Sequence, residues 1–210
     1  MKDAIITISR QYGSGGRKIA EELAKRLNIP FYDNELISMA AEKSGIRLTA
    51  FEDAEMQAGN FLYRLARLGP ETQMYGMPLS EKVFDVQSQV IHDLSLKGPC
   101  VFLGRCADYV LQDHQNCINI YTYAPFQNRV SRAITEYGLA HTTADHEVRK
   151  VDKAREAYYT YHTGNRWGDP ENYDLMINMG VLDIDAAVQL IIDYVQLRPD
   201  DEVRKPYRGY

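Results

Sequence analysis

The stretch SRQYGSGGRKIAEEL, Ser9 to Leu23, holds residue types that bind phosphate. Its glycines let the backbone approach an anion closely, and the N–H groups that open a helix present partial positive charge to it. The usual signature of such a loop is G-x-x-x-x-G-K-[ST]. With Gly15 as its second glycine, Arg10 stands at the first glycine position. Gly16 then stands where the lysine belongs, and Arg17 where the serine or threonine belongs. Gly13, Ser14, Gly15 and Gly16 therefore form a phosphate cradle that lacks its lysine. A glycine-rich turn between a strand and a helix, with no ligand, is the competing reading. Arg17 and Lys18 follow at once. Cations oppose the dipole at a helix start, so a bound anion would account for them, and either can replace the lysine. Arginine grips two phosphate oxygens in parallel, whereas lysine acts as a point charge. Ser9 adds a hydroxyl for phosphate or magnesium.

These residues need a scaffold, and the hydrophobic pattern supplies one. AIITIS, Ala4 to Ser9, is a short β-branched run of the kind buried at the centre of a parallel sheet. RKIAEELAKRL puts Ile19, Leu23 and Leu27 on one helical face. IPFYD reads as a second strand ending at Asp33. From about 34 to 97 the pattern is mostly helical, with glycine stops at Gly45, Gly69 and Gly98. The last of these helices carries Val83, Val86, Val90, Ile91 and Leu94 at helical spacing. PCVFLG and CINIYTYA are further strands, and the helix after the latter carries Arg129 and Arg132. A long polar helix runs from about Thr143 to His162. YDLMIN is the final strand, and DIDAAVQLIIDYVQL closes the pattern with Ile184, Ala187, Val188, Ile191 and Val195 on one face. Strands alternating with helices predict an α/β fold, a parallel sheet flanked by helices in three layers. Ligands of such sheets lie at the carboxyl ends of the strands, where the glycine turn, Asp33 and Gly104-Arg105 all fall.

Composition narrows the function. The 210 residues carry a formal net charge of −5, which argues against a non-specific nucleic-acid binder but leaves room for a local basic pocket. Cys100, Cys106 and Cys117 form no CxxC pair and are odd in number, so a reducing cytoplasm is the simplest setting. Neither the short apolar run at the N-terminus nor any later segment is long enough for a membrane span. The five histidines form no metal-binding constellation. Cys106 beside Arg105 reads either as a thiol of lowered pKa or as a small buried residue.

ITISRQYGSGGRKIAEELAKRLNIPFYDNELI resembles the opening of the cytidylate kinase-like proteins. The resemblance continues at FLGRCADYVL, at CINIYTYAPFQNRVSRAI and at VDKAREAYYTYHTGNRWGDPENYDLMIN. It implies a P-loop nucleoside-monophosphate-kinase fold spanning 1–198, with a helical acceptor-binding insertion at about 34–97, a lid at about 141–170 and a polar tail at 199–210. It implies ATP and Mg2+, a nucleotide and a small-molecule acceptor as partners, and a homo-oligomer is compatible with it. In that family a glycine-arginine-aspartate stretch follows a core strand. Its arginine holds the acceptor phosphate and its aspartate reads the cytosine amino group. Gly104-Arg105-Cys106 keeps the arginine and replaces the aspartate. The family's serine and arginine in the helix after the second strand correspond to Asn34 and Met39. A cytosine-reading site therefore lacks several parts.

The lid's aspartate and arginine match Asp152 and Arg155. Phosphoryl transfer depends on positioning and on cations at the transferring group, so Arg149 and Arg155 on a closing helix would supply charge and exclude water. Asp152 would hold a ribose hydroxyl or orient Arg155. An exposed helix with ion pairs three residues apart is the alternative. Asp33 has three readings: a magnesium ligand through water, an activator of an acceptor hydroxyl, or a helix cap. The aromatic cluster around Trp167 reads as packing, with base stacking as its rival. The catalytic expectation thus rests on Arg17, Lys18, Asp33, Arg149 and Arg155, and the acceptor expectation on Asp33, Arg105, Asp152 and Arg155. A nucleotide- or anion-binding regulatory protein without catalysis is the alternative function, and a structural interaction domain is a third.

Overall fold

The computed structural model describes residues 4–33 and 79–198, together with Met39 and Glu42. The helices expected around Gly45 and Gly69, and the tail at 199–210, lie outside the described residues. Strand β1 (Ile5–Arg10) leads into helix α1 (Gly16–Leu27) and strand β2 (Phe31–Tyr32). Helix α2 (Leu79–Ser95), strand β3 (Cys100–Leu103) and the short helix α3 (Ala107–Val110) follow. Strand β4 (Cys117–Tyr123), helices α4 (Phe126–Thr135) and α5 (Ala144–Thr163), strand β5 (Leu175–Asn178) and helix α6 (Ile184–Leu197) complete the order.

The five strands form one parallel sheet in the order β2-β3-β1-β4-β5. β1 takes the centre because its residues are apolar or β-branched on both faces, and Ile5 to Ser9 are buried. Alternation then divides the core in two. Ile6, Ile8, Val101, Leu103, Ile118 and Ile120 pack under α1 and α6, against Ile19, Leu23, Val188 and Ile191. Ile5, Cys100, Phe102 and Cys117 pack on the other face, against Val83, Val90, Ile91 and Leu94 of α2, with Met39 at the edge. On that second face Thr7 donates to Asn119 Oδ1 at 2.7 Å, which satisfies a polar pair in the middle of the sheet. A third, small cluster, Val130, Ala133, Ala144 and Val148, joins α4 to α5.

One element was not foreseen in the pattern. After β3, Gly104, Arg105 and Cys106 all take positive φ, at 71°, 59° and 54°, and the chain turns directly into α3. Left-handed backbone costs a side-chain-bearing residue about 1–2 kcal/mol, so neither periodicity nor propensity points to it. No described helix is long and apolar enough to cross a membrane.

Candidate functional site

The parallel arrangement brings the carboxyl ends of β1, β2 and β3 to one edge of the sheet. A cavity of about 370 Å³ lies there, within the size range of small-molecule sites. Ser9 and Arg10 from β1 and Gly104, Arg105 and Cys106 from the left-handed turn form its floor. α5 forms its roof with Val151, Ala154, Arg155, Tyr158 and Tyr159, and Trp167 closes one end.

Arginine dominates the charge of this cavity. Arg10, Arg105 and Arg155 all line it. Burial pushes the guanidinium of Arg10 well below its ordinary pKa, and Arg155, Arg105 and Arg17 push it the same way. Arg105 and Arg155 are also lowered by burial. Asp33, buried at the end of β2, is the one carboxylate among the described residues that acts on all three. The positive charge is thus concentrated at one edge of an otherwise acidic chain. A low-dielectric cleft of this kind focuses its field on an incoming anion.

Two glycines make room for Arg10. A Cβ on Gly16 would stand 2.5 Å from Thr122 Oγ1, 2.6 Å from Arg10 Cβ and 3.1 Å from Arg10 Cγ. A Cβ on Gly104 would run into Arg10 Nη1. The arginine stem therefore starts over the first residue of α1, and its guanidinium ends over the turn after β3.

The glycine turn is held from two sides. Ser14 is buried, and its hydroxyl donates to the Gln11 carbonyl at 2.8 Å and meets Thr122 Oγ1 at 2.9 Å. Arg132 of α4 donates to the Gly13 carbonyl at 2.9 Å. On the cavity side, Tyr12 N–H donates to Asp152 Oδ1 at 2.7 Å, and Asp152 Oδ2 pairs with Arg129. Arg129 also donates to the carbonyls of Tyr12 and Ala124. Arg155 reaches back from α5 to donate to the Arg10 carbonyl at 3.0 Å, with its guanidinium carbon 5.6 Å from the centre of the Tyr12 ring. A carboxylate and an arginine of α5 are therefore docked on the loop.

α5 is anchored along its length. Tyr159 donates to Asp108 Oδ2 at 2.7 Å, and Tyr161 to Glu81 at 3.1 Å. His162 stacks on Phe84 with ring centres 4.2 Å apart. Trp167 meets the Tyr121 ring edge-on at 5.6 Å, so its ring both packs and lines the cavity. Burial and Asp108 outweigh Arg105 at Cys106 and push its thiol up, which removes the reading of a reactive thiolate.

Of the residues singled out in the sequence, Ser9, Arg105 and Arg155 meet in the cavity. Asp152 touches the loop, and Asp33 acts on the arginines through space. Arg17 is exposed and does not line the cavity, and it pairs with Glu21 at 2.9 Å and with Asp33 at 3.2 Å. Lys18 is exposed and pairs with Glu136 at 2.7 Å. Arg149 lies exposed over the Phe126 ring at 3.9 Å. Arg10 is the residue that reading the sequence passed over. Its only signal there is a large side chain at a position where the loop signature has glycine.

The loop has the form that holds the phosphates of a nucleotide, a glycine-rich turn between β1 and the N-terminus of α1 with Gly13 and Gly15 at positive φ. Among the described residues no group of three His, Cys, Asp or Glu could cage a metal. The residues present fit a magnesium ion carried on phosphates and water, with Asp33 as its nearby carboxylate.

Known proteins agree with this architecture. The model of the cytidylate kinase-like family matches residues 5–181. A cytidylate kinase of Pyrobaculum islandicum is 26% identical over 192 residues, covering 91% of this chain and 92% of that protein. A uronate isomerase of Corynebacterium glutamicum is 33% identical over 95 residues. That match covers 44% of this chain, and the chain spans only 18% of the isomerase's length. Among solved structures, an uncharacterized protein from Eubacterium ventriosum ATCC 27560 superposes with a TM-score of 0.71 at 27% identity, covering 93% of this chain and 99% of that one. A shikimate kinase from Bacteroides thetaiotaomicron shares the fold, with a TM-score of 0.51 at 14% identity, over 92% of this chain and 99% of that one.

Proposed function

This chain belongs to the cytidylate kinase-like family, and from that premise we propose that it is a phosphotransferase moving a phosphoryl group from ATP to a nucleoside monophosphate or another small-molecule acceptor. The observation that carries this reading is the arginine-lined cavity at the strand ends, which shares Arg10 with the packing against Gly16 of the glycine turn. ATP, when bound with Mg2+, supplies the phosphoryl group. The backbone N–H groups of Gly13, Gly15 and Gly16 would hold its phosphates, that of Ser14 being taken by the Gln11 carbonyl at 3.2 Å. Arg105 and Arg155 hold the anionic part of the acceptor and stabilise charge on the transferring group. Asp33 orients these cations, and it accepts the proton where the acceptor is a hydroxyl. α5, as the roof of the cavity, limits the access of water to it.

The name of the family does not carry the acceptor with it. Cys106 stands where the cytosine-reading aspartate would, and its raised thiol offers no ionised acceptor to a base amino group. Incubation of the protein with Mg-ATP and a panel of nucleoside monophosphates and small phosphorylated or hydroxylated metabolites, followed by phosphorus NMR, tests the proposal. Acceptor-dependent formation of ADP supports it. The second reading, a nucleotide-binding regulatory protein, is favoured by Gly16 in place of the lysine. It expects ATP to raise the melting temperature with no turnover on any acceptor.

A further inference from the structure

We infer that Arg10, at the end of the central strand, supplies the positive charge that a phosphate loop ordinarily carries on the lysine at the start of its helix, and that its ligand is a phosphate chain lying between the glycine turn and the arginine cavity. The inference rests on the phosphotransferase reading and deepens it.

Three observations lead to it. First, positions 10 and 16 exclude one another. The space in which a side chain at Gly16 would begin is filled by Cβ and Cγ of Arg10 and by Thr122. A lysine at 16 and an arginine at 10 cannot share this loop, so the replacement is one of geometry as well as of charge. Second, the arginine has glycine at both root and tip, because Gly104 leaves room for its guanidinium beside Arg105. Third, the guanidinium lines the cavity, and among the described residues no ion pair or side-chain hydrogen bond engages it. Asp33 attracts it only through space, while Arg155, Arg105 and Arg17 repel it. An arginine keeps its proton at neutral pH, so a phosphate anion relieves this arrangement where deprotonation cannot.

The rival cations are already engaged. Lys18 is committed to Glu136, and Arg17 to Glu21 and Asp33, and both are exposed. Arg10, by contrast, lines a cavity roofed by α5, where the partial exclusion of water strengthens each contact to phosphate. Its planar fork also matches two phosphate oxygens, which a lysine cannot do.

The test is a charge transplant read by binding. Calorimetric titration with inorganic tripolyphosphate and with ATP is carried out on wild type, Arg10→Met, Arg10→Lys, Arg10→Gly, Lys18→Ala and the triple variant Arg10→Gly/Gly16→Lys/Thr122→Ala, with Arg10→Gly/Thr122→Ala as its reference. Arg10→Met and Arg10→Gly are expected to lose at least about tenfold in affinity for both probes, a factor equal to about 1.4 kcal/mol. Arg10→Lys recovers part of it. Lys18→Ala stays within about twofold, on the scale of an exposed ion pair. The triple variant regains affinity that its reference lacks, because loss of both the Arg10 side chain and the Thr122 hydroxyl clears the space a lysine at 16 needs. Circular dichroism checks folding. If Arg10→Met does not fold, Arg10→Lys and the triple variant decide the matter. Wild-type affinity in Arg10→Met, a larger loss in Lys18→Ala than at Arg10, or no recovery in the folded triple variant overturns the inference and leaves the phosphotransferase reading standing. A wild-type protein that binds neither tripolyphosphate nor ATP overturns both.

Discussion

The glycine turn has cations at both of its ends, and they do different things. At the helix end, Arg17 and Lys18 are more than half exposed and are spent on Glu21, Asp33 and Glu136. At the strand end, Arg10 is drawn into the cavity with Arg105 and Arg155. The residues lie within nine positions of each other. Position relative to the sheet separates them. A residue at the carboxyl end of a central parallel strand projects into the crevice where ligands bind, whereas the outer face of the first helical turn looks at water. A cation's nearness in sequence to the glycine turn is therefore a poor guide to whether it faces the cavity.

The sharpest break in this comparison comes at Asp152, which ties α5 to the strand side of the turn. Asp152→Ala strands Arg129 and frees the Tyr12 N–H, and a loss of about 3 kcal/mol is expected in urea unfolding, as for a largely buried pair left with one partner. Gly16→Ala comes next. Its Cβ meets the Thr122 hydroxyl and the root of Arg10, neither of which can swing away, so about 2 kcal/mol of overpacking is expected in the same measurement. Gly104→Ala separates stability from charge. Its positive φ costs about 1 kcal/mol, yet the atom it strikes is the mobile tip of Arg10. Weaker tripolyphosphate binding at modest loss of stability is the expected result, and unchanged binding would falsify the placement of that guanidinium. At the helix end, Lys18→Ala is expected to change stability by less than about 0.5 kcal/mol.

Acid provides a check that leaves the arginines charged. Burial lowers the imidazole of His162 to about 4, where it stacks on Phe84 and joins α5 to α2. The unfolded chain takes up this proton first, near pH 6.5, so this contribution to stability is full above that pH and declines as the pH falls toward 4. His162→Phe should flatten that part of the pH–stability curve while leaving tripolyphosphate affinity at neutral pH unchanged.

Much of the scaffold was legible because it repeats. The apolar run of β1, the helical faces of α1, α2 and α6, and the placement of ligand-facing turns at strand ends all follow from side-chain period and burial. Arg105 and Arg155 were legible through the family resemblance of the stretches that carry them. Arg10 was not, since alone it reads as an exception to a glycine position. The left-handed turn at Gly104 to Cys106 was hidden as well, because two of its three residues pay for that backbone conformation and no local preference announces it.

What the sequence alone determined is the order of the five strands along the chain, their parallel sheet and a glycine-rich turn with Gly16 where the loop signature has lysine, because these follow from side-chain pattern along the chain. Only the tertiary structure decided which cation faces the cavity. That answer depends on Arg10, Gly16, Gly104 and Thr122 meeting across β1, β3 and β4, where one missing Cβ admits the arginine's stem and another admits its charge.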